Sequence, residues 1–278
     1  MNIQENNKKD TLIGFWHGVG DHIIASGAIK RFRELNPDVK IGWAATNRYV
    51  KSGIYKYCPH INEIFETHDV WEDPKLGINA LKGNRELAKH YHLEALANIA
   101  NKNGYKRVIQ VNLDKVASLP AVHRVDNTYE DLGIDKVDYP YEIWIESNDF
   151  GDVFHFLKEK NLFHKDYTFV NITSTCETRN WDKEMVNKFL NRKYSNIGFV
   201  YSDDPELMKL NVRAAFEVMK GAKHLVLNNS SFLQAAEVFK KDVDYTFVDC
   251  QKWAVDTFKP FHIQWNPIYM NTINLDEL

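Results

Sequence analysis

The chain has 278 residues, 44% hydrophobic and 26% charged, and its 35 basic and 38 acidic side chains leave a net charge of −3. That length suits one large domain or two ordinary ones, and the near balance of charge supplies no global positive field for nucleic acid or anionic lipid. The three cysteines, Cys58, Cys176 and Cys250, lack metal-ligand spacing and read as reduced thiols. The polar start is not that of a signal peptide, and no run approaches the ~18–20 apolar residues that cross a bilayer, so a soluble, cytoplasmic protein without membrane insertion is predicted.

Leu12–Trp16 is short, apolar and closed by Gly18 and Gly20, as expected of a buried strand. From Asp21, apolar residues at helical spacing run to Asn36-Pro37, which stops them. Lys40–Ala45 predicts a second strand, 47–57 a helix, Glu63–Glu66 a third strand, 84–103 a long helix and Arg107–Asn112 a fourth strand. The rhythm breaks over 134–150 and restarts with a helix at about 150–161. Strands are then predicted at Tyr167–Thr173, Asn196–Ser202, His224–Asn228 and Tyr245–Asp249, with helices at 182–193, 206–220 and 231–240 between them. Alternation of this kind predicts an α/β protein made of two successive doubly wound units, each a parallel sheet with helices on both faces.

Ligands of open parallel sheets bind beyond the carboxyl ends of the strands, which singles out three strand-to-helix junctions. At the first, Gly18 and Gly20 leave room for a ligand, His17 sits inside the glycine loop, and Asp21 stands near a helix N-terminus. A carboxylate there is also what a helix cap needs. The Gly-x-Gly start lacks the third glycine of a dinucleotide fingerprint, and no acidic residue closes the second strand, which argues against a Rossmann oxidoreductase. At the second junction, Thr173, Ser174 and Arg179 offer two hydroxyls and a forked cation to phosphate oxygens; an exposed turn is the plainer alternative. The third places Asn229, Ser230 and Ser231 where a helix starts, suited to an anion or to simple capping. Asp203-Asp204-Pro205, the nearest approach to a metal-binding Asp-x-Asp, reads as a loop.

In order and spacing, these junctions resemble the heptosyltransferase-like enzymes of glycosyltransferase family 9. That family carries a Gly-Asp pair followed by apolar residues and Pro-Ala, matched here by Gly20-Asp21-His22-Ile23-Ile24-Ala25-Ser26-Gly27-Ala28-Ile29, with Gly27 replacing the proline. A Pro-Asp pair follows at Pro37-Asp38, and Cys58-Pro59-His60-Ile61-Asn62-Glu63-Ile64 echoes a later family stretch. In the second half, Thr173-Ser174 and Arg179-Asn180-Trp181-Asp182-Lys183-Glu184 resemble the family's strand–loop motif, with arginine replacing lysine and aspartate replacing proline. The run Ala222 to Ala236 resembles its last motif, with Asn229 in place of aspartate and Gln234 in place of histidine.

The resemblance implies a GT-B fold: two Rossmann-like doubly wound domains facing each other across a cleft, the acceptor on 1–146 and the nucleotide sugar on 147–278. It implies a metal-independent, inverting glycosyltransferase without cofactor, moving a sugar from a nucleotide-diphosphate sugar to an acceptor hydroxyl. Asp21 would be the base, with His17, Gly18 and Gly20 lining the acceptor. Thr173, Ser174, Arg179, Asn229, Ser230, Ser231 and Gln234 would hold the donor's diphosphate, and Glu206 its ribose. Acceptors in view are a glycan, lipid-linked or free, and a hydroxylated base in DNA. The sequence cluster Lys106, Arg107, Lys115, His123 and Arg124 would supply a basic surface for DNA; a solvated face is the alternative. Trp16, Trp43, Trp71, Tyr91 and His92 also fall in the acceptor half, mostly as packing residues. Loss of the aspartate and histidine at 229 and 234 points to a different donor, and alternatively to an inactive GT-B-like binding protein.

Overall fold

The computed structural model describes residues 9–69, 85–113, 123–138, 140–174, 179–195, 197–248 and 259–269. The chain divides into two compact units, Met1–Trp144 and Ile145–Leu278.

Unit 1 is built on four parallel strands, β1 (Thr11–Phe15), β2 (Ile41–Thr46), β3 (Glu63–Thr67) and β4 (Arg107–Gln110), in the order β3-β2-β1-β4. Every residue of β1 and β2 is buried, as expected of strands covered on both faces. The helices are α1 (Val19–Leu35), α2 (Asn47–Ser52), α3 (Arg85–Asn103) and α4 (Arg124–Leu132). Helix α1 stops where Asn36 turns its amide back to the Phe32 carbonyl at 2.8 Å, one residue before Pro37. Arg33 then fastens the connection: its guanidinium donates to the Val39 carbonyl and to Asn62 Oδ1, both at 2.6 Å. Asn62 Oδ1 also receives the Ile41 amide at 2.8 Å. The Asn-Pro pair and the Cys58–Ile64 stretch are therefore one structural clasp around the start of β2. Burial pushes the Cys58 thiol up to about 12; Cys176 and Cys250 lie outside the described residues.

Gly14 faces α3, and a Cβ there would overlap the Leu96 side chain, which is itself fully buried. Gly14→Val is therefore expected to destabilise the protein by about 1–3 kcal/mol. Urea unfolding would check this, and the cost should shrink in a Leu96→Ala background, where the overlapping methyls are gone.

Unit 2 holds α5 (Ser147–Glu159), β5 (Tyr167–Asn171), α6 (Lys183–Lys193), β6 (Gly198–Tyr201), α7 (Val212–Gly221), β7 (His224–Asn228), α8 (Ser231–Val238), β8 (Val243–Val248) and β9 (Trp265–Tyr269). The five strands are all parallel, in the order β6-β5-β7-β8-β9.

Four elements depart from the sequence expectations, the first being the helix expected over 47–57, which ends at Ser52 where Gly53 takes the left-handed region, φ 73°. Strand β9 contains Pro267, which the strand pattern discounts, yet it lies at the sheet edge where a missing N–H is tolerated. Helix α4 is nine residues long, capped by His123 Nδ1 on the Val125 amide at 3.2 Å and ended by Gly133 in the left-handed region, φ 67°. The helix expected over 206–220 begins only at Val212. Asn211 Oδ1 accepts the Arg213 and Ala214 amides at 3.0 and 3.1 Å and restarts the chain there. Glu206 consequently precedes a single 3-10 turn, Leu207–Lys209, rather than opening a helix.

Candidate active site

In unit 1 the chain runs outward from β1 through β2 to β3, then returns to place β4 on the other side of β1. The crevice of such a sheet opens where the order reverses, beyond the carboxyl ends of β1 and β4. His17 and Gly18 leave β1 at that point, and Gly20 and Asp21 follow in the first turn of α1.

His17 is 2% exposed and its Nε2 accepts the Leu113 amide at 3.1 Å, tying the end of β1 to the segment after β4. Gly18 donates its N–H to Asp21 Oδ2 at 3.2 Å, so Asp21 does perform the capping function that its position suggests. Its other oxygen, Oδ1, is bonded to Arg124 Nη1 of α4. Burial acts to raise the Asp21 carboxyl, but the Arg124 guanidinium, with His17 and His22 adding to it, outweighs burial and holds the group below the ordinary carboxylate range. The result is an ionised carboxylate at the switch point. Arg124 is thus one half of an ion pair with only 21% of its side chain exposed, not part of a solvated basic face. Lys115 of the same sequence cluster lies outside the described residues, as does Trp71; Trp16 and Trp43 are buried in the core.

His22 and His92 complete the polar groups beneath this loop. Burial lowers His22 to about 4, against the Gly18 carbonyl and Asp21, which favour its charged form. Burial, with His17 adding to it, lowers His92 to about 3. Both are neutral in the folded state at pH 6.5, while an unfolded histidine titrates near that value. Between pH 6.5 and about 4 the unfolded chain therefore binds protons that the native chain does not, and stability falls as pH falls. Each histidine contributes a slope of about 1.4 kcal/mol per pH unit in that window. Urea midpoints measured from pH 7 to 4 should show this loss, reduced in His92→Phe.

Unit 2 repeats the topology: β5 lies between β6 and β7, so its switch point is at the ends of β5 and β7. Both strands close on a buried asparagine, Asn171 at 3% exposure and Asn228 at 0%. Asn171 Nδ2 donates to Ser202 Oγ at 2.8 Å, and Asn171 Oδ1 accepts the Ser230 hydroxyl at 3.0 Å. Thr173 Oγ1 lies 3.4 Å from Ser202 Oγ, and the Ser174 amide donates to Asn180 Oδ1 at 2.5 Å. Arg179 is fastened at both ends: Asn228 Nδ2 donates to its carbonyl at 3.0 Å, and its Nη1 donates to the Asn229 carbonyl at 3.2 Å. Asn228 Oδ1 and Asn229 Nδ2 are buried with no hydrogen-bond partner among the described residues.

Ser230 occupies the N-cap of α8, yet its side chain makes no capping bond, because Asn171 engages it. Capping therefore does not account for this serine. In the loop before α6, by contrast, Asp182 is an ordinary cap, with Oδ1 accepting the Met185 amide at 2.7 Å. Trp181 packs on Phe247 in the core.

Thr173, Arg179, Asn229 and Ser230 are thus gathered at one switch point, Ser231 is half-buried at the start of α8, and Gln234 is buried on that helix. Glu206 stands outside this network: its carboxylate pairs with Lys209 Nζ at 2.7 Å and is 47% exposed. Asp204 accepts the Glu206 amide at 2.9 Å and pairs with Lys160, as a turn-forming residue does. Asn171, Ser202 and Asn228 were not among the expected residues, and Arg124 was expected only as part of a basic surface; the asparagines were visible as the polar carboxyl ends of the strands YTFVN and HLVLN. Among the described residues, no group of three His, Cys, Asp or Glu side chains is placed to hold a metal ion, and no helix is long and apolar enough to cross a membrane.

No protein-family model matches the chain, and no curated protein sequence matches it either. Solved structures do match in three dimensions. A glycosyltransferase family 9 protein from Veillonella parvula superposes with a TM-score of 0.67 at 14% identity, over 95% of this chain and 86% of that one. The E. coli heptosyltransferase WaaC with ADP matches with a TM-score of 0.58 at 13% identity, over 93% of each chain. E. coli ADP-heptose LPS heptosyltransferase II gives 0.56 at 11% identity, over 93% of this chain and 90% of its own. At such identities the likeness is one of fold, and the fold of this chain is the GT-B fold of the glycosyltransferase family 9 structures.

Proposed function

We propose that the chain is a glycosyltransferase that moves a sugar from a nucleoside-diphosphate sugar to an acceptor hydroxyl, with inversion and without a metal ion. The observation that carries this reading is the pairing of two unlike switch points on one GT-B chain. Unit 1 offers an ionised carboxylate, and unit 2 offers a fixed guanidinium beside a helix N-terminus whose N-cap side chain is turned away.

Transfer breaks the bond from the anomeric carbon to the diphosphate, so negative charge develops on the leaving group. Arg179 and the first turn of α8 are groups that stabilise such charge in place. Asp21 takes the proton of the attacking hydroxyl, and a single displacement inverts the anomeric carbon. His17, Gly18 and Gly20 shape the acceptor side, with His17 acting through the strand ends that it joins. Ser174, Ser231 and Gln234 belong to the donor side, together with the unpartnered amide atoms of Asn228 and Asn229. Glu206 would reach the donor's ribose only after leaving Lys209. The solved WaaC structures are found with ADP and with an ADP-sugar, which makes adenine nucleotides the first donors to try. A glycan or hydroxylated DNA base remains the acceptor class, and the cytoplasm the compartment.

The test is donor binding and nucleotide release across ADP-, UDP- and GDP-sugars, with and without EDTA. Binding of one nucleotide class that survives chelation is expected. Donor binding without release to any acceptor favours a binding protein, a reading to which the engagement of both Asp21 oxygens by Gly18 and Arg124 lends weight.

A further inference from the structure

Gly18 is a glycine that the fold does not require. A glycine is needed where φ is positive, as at Gly53 and Gly133, or where a neighbour crowds the Cα, as Leu96 does at Gly14. Gly18 has φ −70° and ψ 172°, extended backbone that any residue adopts. A Cβ there would meet Asp21 Oδ2 at 3.7 Å and Tyr49 Oη at 3.9 Å, both ordinary contact distances. Apart from its chain neighbours, no other atom of the described residues comes within 4 Å of that position. The missing side chain therefore leaves a notch with a carboxylate oxygen on one wall and a phenol oxygen on the other. Gly18, Asp21 and Tyr49 each keep part of their surface exposed, so none of the three is sealed in the core.

Tyr49 comes to the notch from the adjacent strand. β2 pairs with β1 in parallel, Ala45 opposite Phe15, and α2 starts directly after Thr46. The Tyr49 ring packs on His22 with centroids 5.4 Å apart, and the Arg48 guanidinium lies 5.9 Å from its centre. Arg48 is itself fixed by Asp69, Nε to Oδ2 at 2.6 Å. Burial pushes the Tyr49 hydroxyl up to about 12, with the Asp21 and Asp69 carboxylates adding to it and Arg48 opposing them. The phenol therefore keeps its proton at neutral pH and stands as a donor beside the ionised Asp21. The two groups feel each other's charge, yet among the described residues no hydrogen bond joins them. Asp21 Oδ2 takes the Gly18 N–H on one lone pair and has a second left for another donor.

We propose that the notch beside Gly18 seats the attacking hydroxyl of the acceptor, with Tyr49 donating a hydrogen bond to its oxygen and Asp21 Oδ2 receiving its proton. The proposal rests on the transferase reading and adds Tyr49 to it as a residue that touches the acceptor. A hydroxyl suits both walls, because it donates one hydrogen and accepts through two lone pairs. One lone pair takes the Tyr49 hydrogen, and the other forms the bond to the anomeric carbon. As that bond forms, the hydroxyl proton passes to Asp21. The bond from the anomeric carbon to the diphosphate breaks, and its electron pair leaves on the nucleoside diphosphate. Tyr49 gives up no proton; it fixes the position and direction of the nucleophile, and a misplacement of about 1 Å there costs on the order of 10²-fold in rate.

Gly18→Ala and Tyr49→Phe, made in the full chain, test the seat. Neither should move the urea midpoint, since the added methyl meets only ordinary contacts and phenylalanine keeps the ring. With a donor and acceptor that the native chain uses, kcat/KM for the acceptor should fall about tenfold in Tyr49→Phe. In Gly18→Ala, where a methyl fills the seat, it should fall about 10²-fold. The donor's KM should stay unchanged in both, a split between the substrates that a general loosening of unit 1 would not produce. Native transfer by Tyr49→Phe would overturn the seat and leave the transferase reading standing; this variant decides alone if Gly18→Ala does not fold. If the native chain transfers no sugar, glycerol serves as the hydroxyl probe. Nuclear magnetic resonance should then show a saturable shift of the Gly18 and Asp21 amides that weakens about tenfold in Tyr49→Phe. That result would keep the hydroxyl seat while the transferase reading falls, and no shift, or one that Tyr49→Phe leaves unchanged, would overturn the seat as well.

Discussion

Asp21→Asn is expected to lower sugar transfer by about 10²–10⁴-fold while leaving nucleotide-sugar affinity unchanged. Asparagine keeps the size of the side chain and an oxygen for the Gly18 amide, but it carries no charge and accepts no proton from a hydroxyl. The effect should therefore fall on kcat rather than on the donor's KM. A companion variant, Arg124→Gln, separates the base from a cap. In the native chain the guanidinium, with His17 and His22, holds Asp21 below 3.8, the ordinary carboxylate value, against the burial that would raise it. A base works only when ionised, so its rate falls as pH drops through its pKa. With the guanidinium gone burial dominates, and the acid limb of the pH–rate profile moves to higher pH. Normal transfer by Asp21→Asn would remove the assignment, and an unmoved acid limb in Arg124→Gln would remove the role given to the ion pair.

The largest expected effect on stability lies in unit 2. Arg213 and Asp149 join α7 to α5 with 4% and 2% of their side chains exposed. Arg213 Nε and Nη2 donate to the two carboxylate oxygens at 2.9 and 3.0 Å, and the Asn211 amide and Glu146 N–H supply two more bonds at 2.8 and 2.9 Å. Arg213→Ala leaves a buried carboxylate without its counter-charge and should cost about 3–5 kcal/mol, read from urea unfolding at pH 7. The double variant Asp149→Leu, Arg213→Met removes both charges and should recover most of that loss. Burial acts to raise the Asp149 carboxyl, and Arg213 with the other donors outweighs it and depresses the group. Its contribution is therefore present above the unfolded value of 3.8 and is lost as pH falls below it. The histidine effect sets in near pH 6.5, well above that window, and is reduced in His92→Phe, so the two are distinguishable in one titration by their onset. A double variant as unstable as the single one would mean that packing, not charge, governs this contact.

Strand and helix order was legible in the sequence because buried parallel strands are short apolar runs and their helices end at prolines and glycines. The junctions were legible for the same reason, since small and polar residues at strand ends stand out from apolar surroundings. What escaped were features set by distant residues. Arg124 looks like one of several basic residues in its stretch, and only the return of the chain beside β1 puts α4 against Asp21. Strand β9 was hidden by Pro267, whose tolerance depends on an edge position that no local pattern reveals. Ser230 reads as a cap until Asn171, 59 residues away, is seen to engage it.

The bonds that complete the Asp21 side of the molecule join residues far apart in the chain: His17 to Leu113 across 96 positions, and Asp21 to Arg124 across 103. Closing a loop of that length costs about 4 kcal/mol in chain entropy before any contact rewards it. During synthesis Asp21 leaves the ribosome long before Arg124 exists, so the carboxylate waits without its counter-charge until β4 has docked. Helix α4 belongs to no strand ladder, and its detachment breaks the ion pair while β1, β2 and β3 stay joined. Partial opening of that kind is a sub-global event, with a free energy below that of full unfolding. Loss of the Asp21 pairing is consequently a finer gauge of the protein's integrity than loss of its secondary structure.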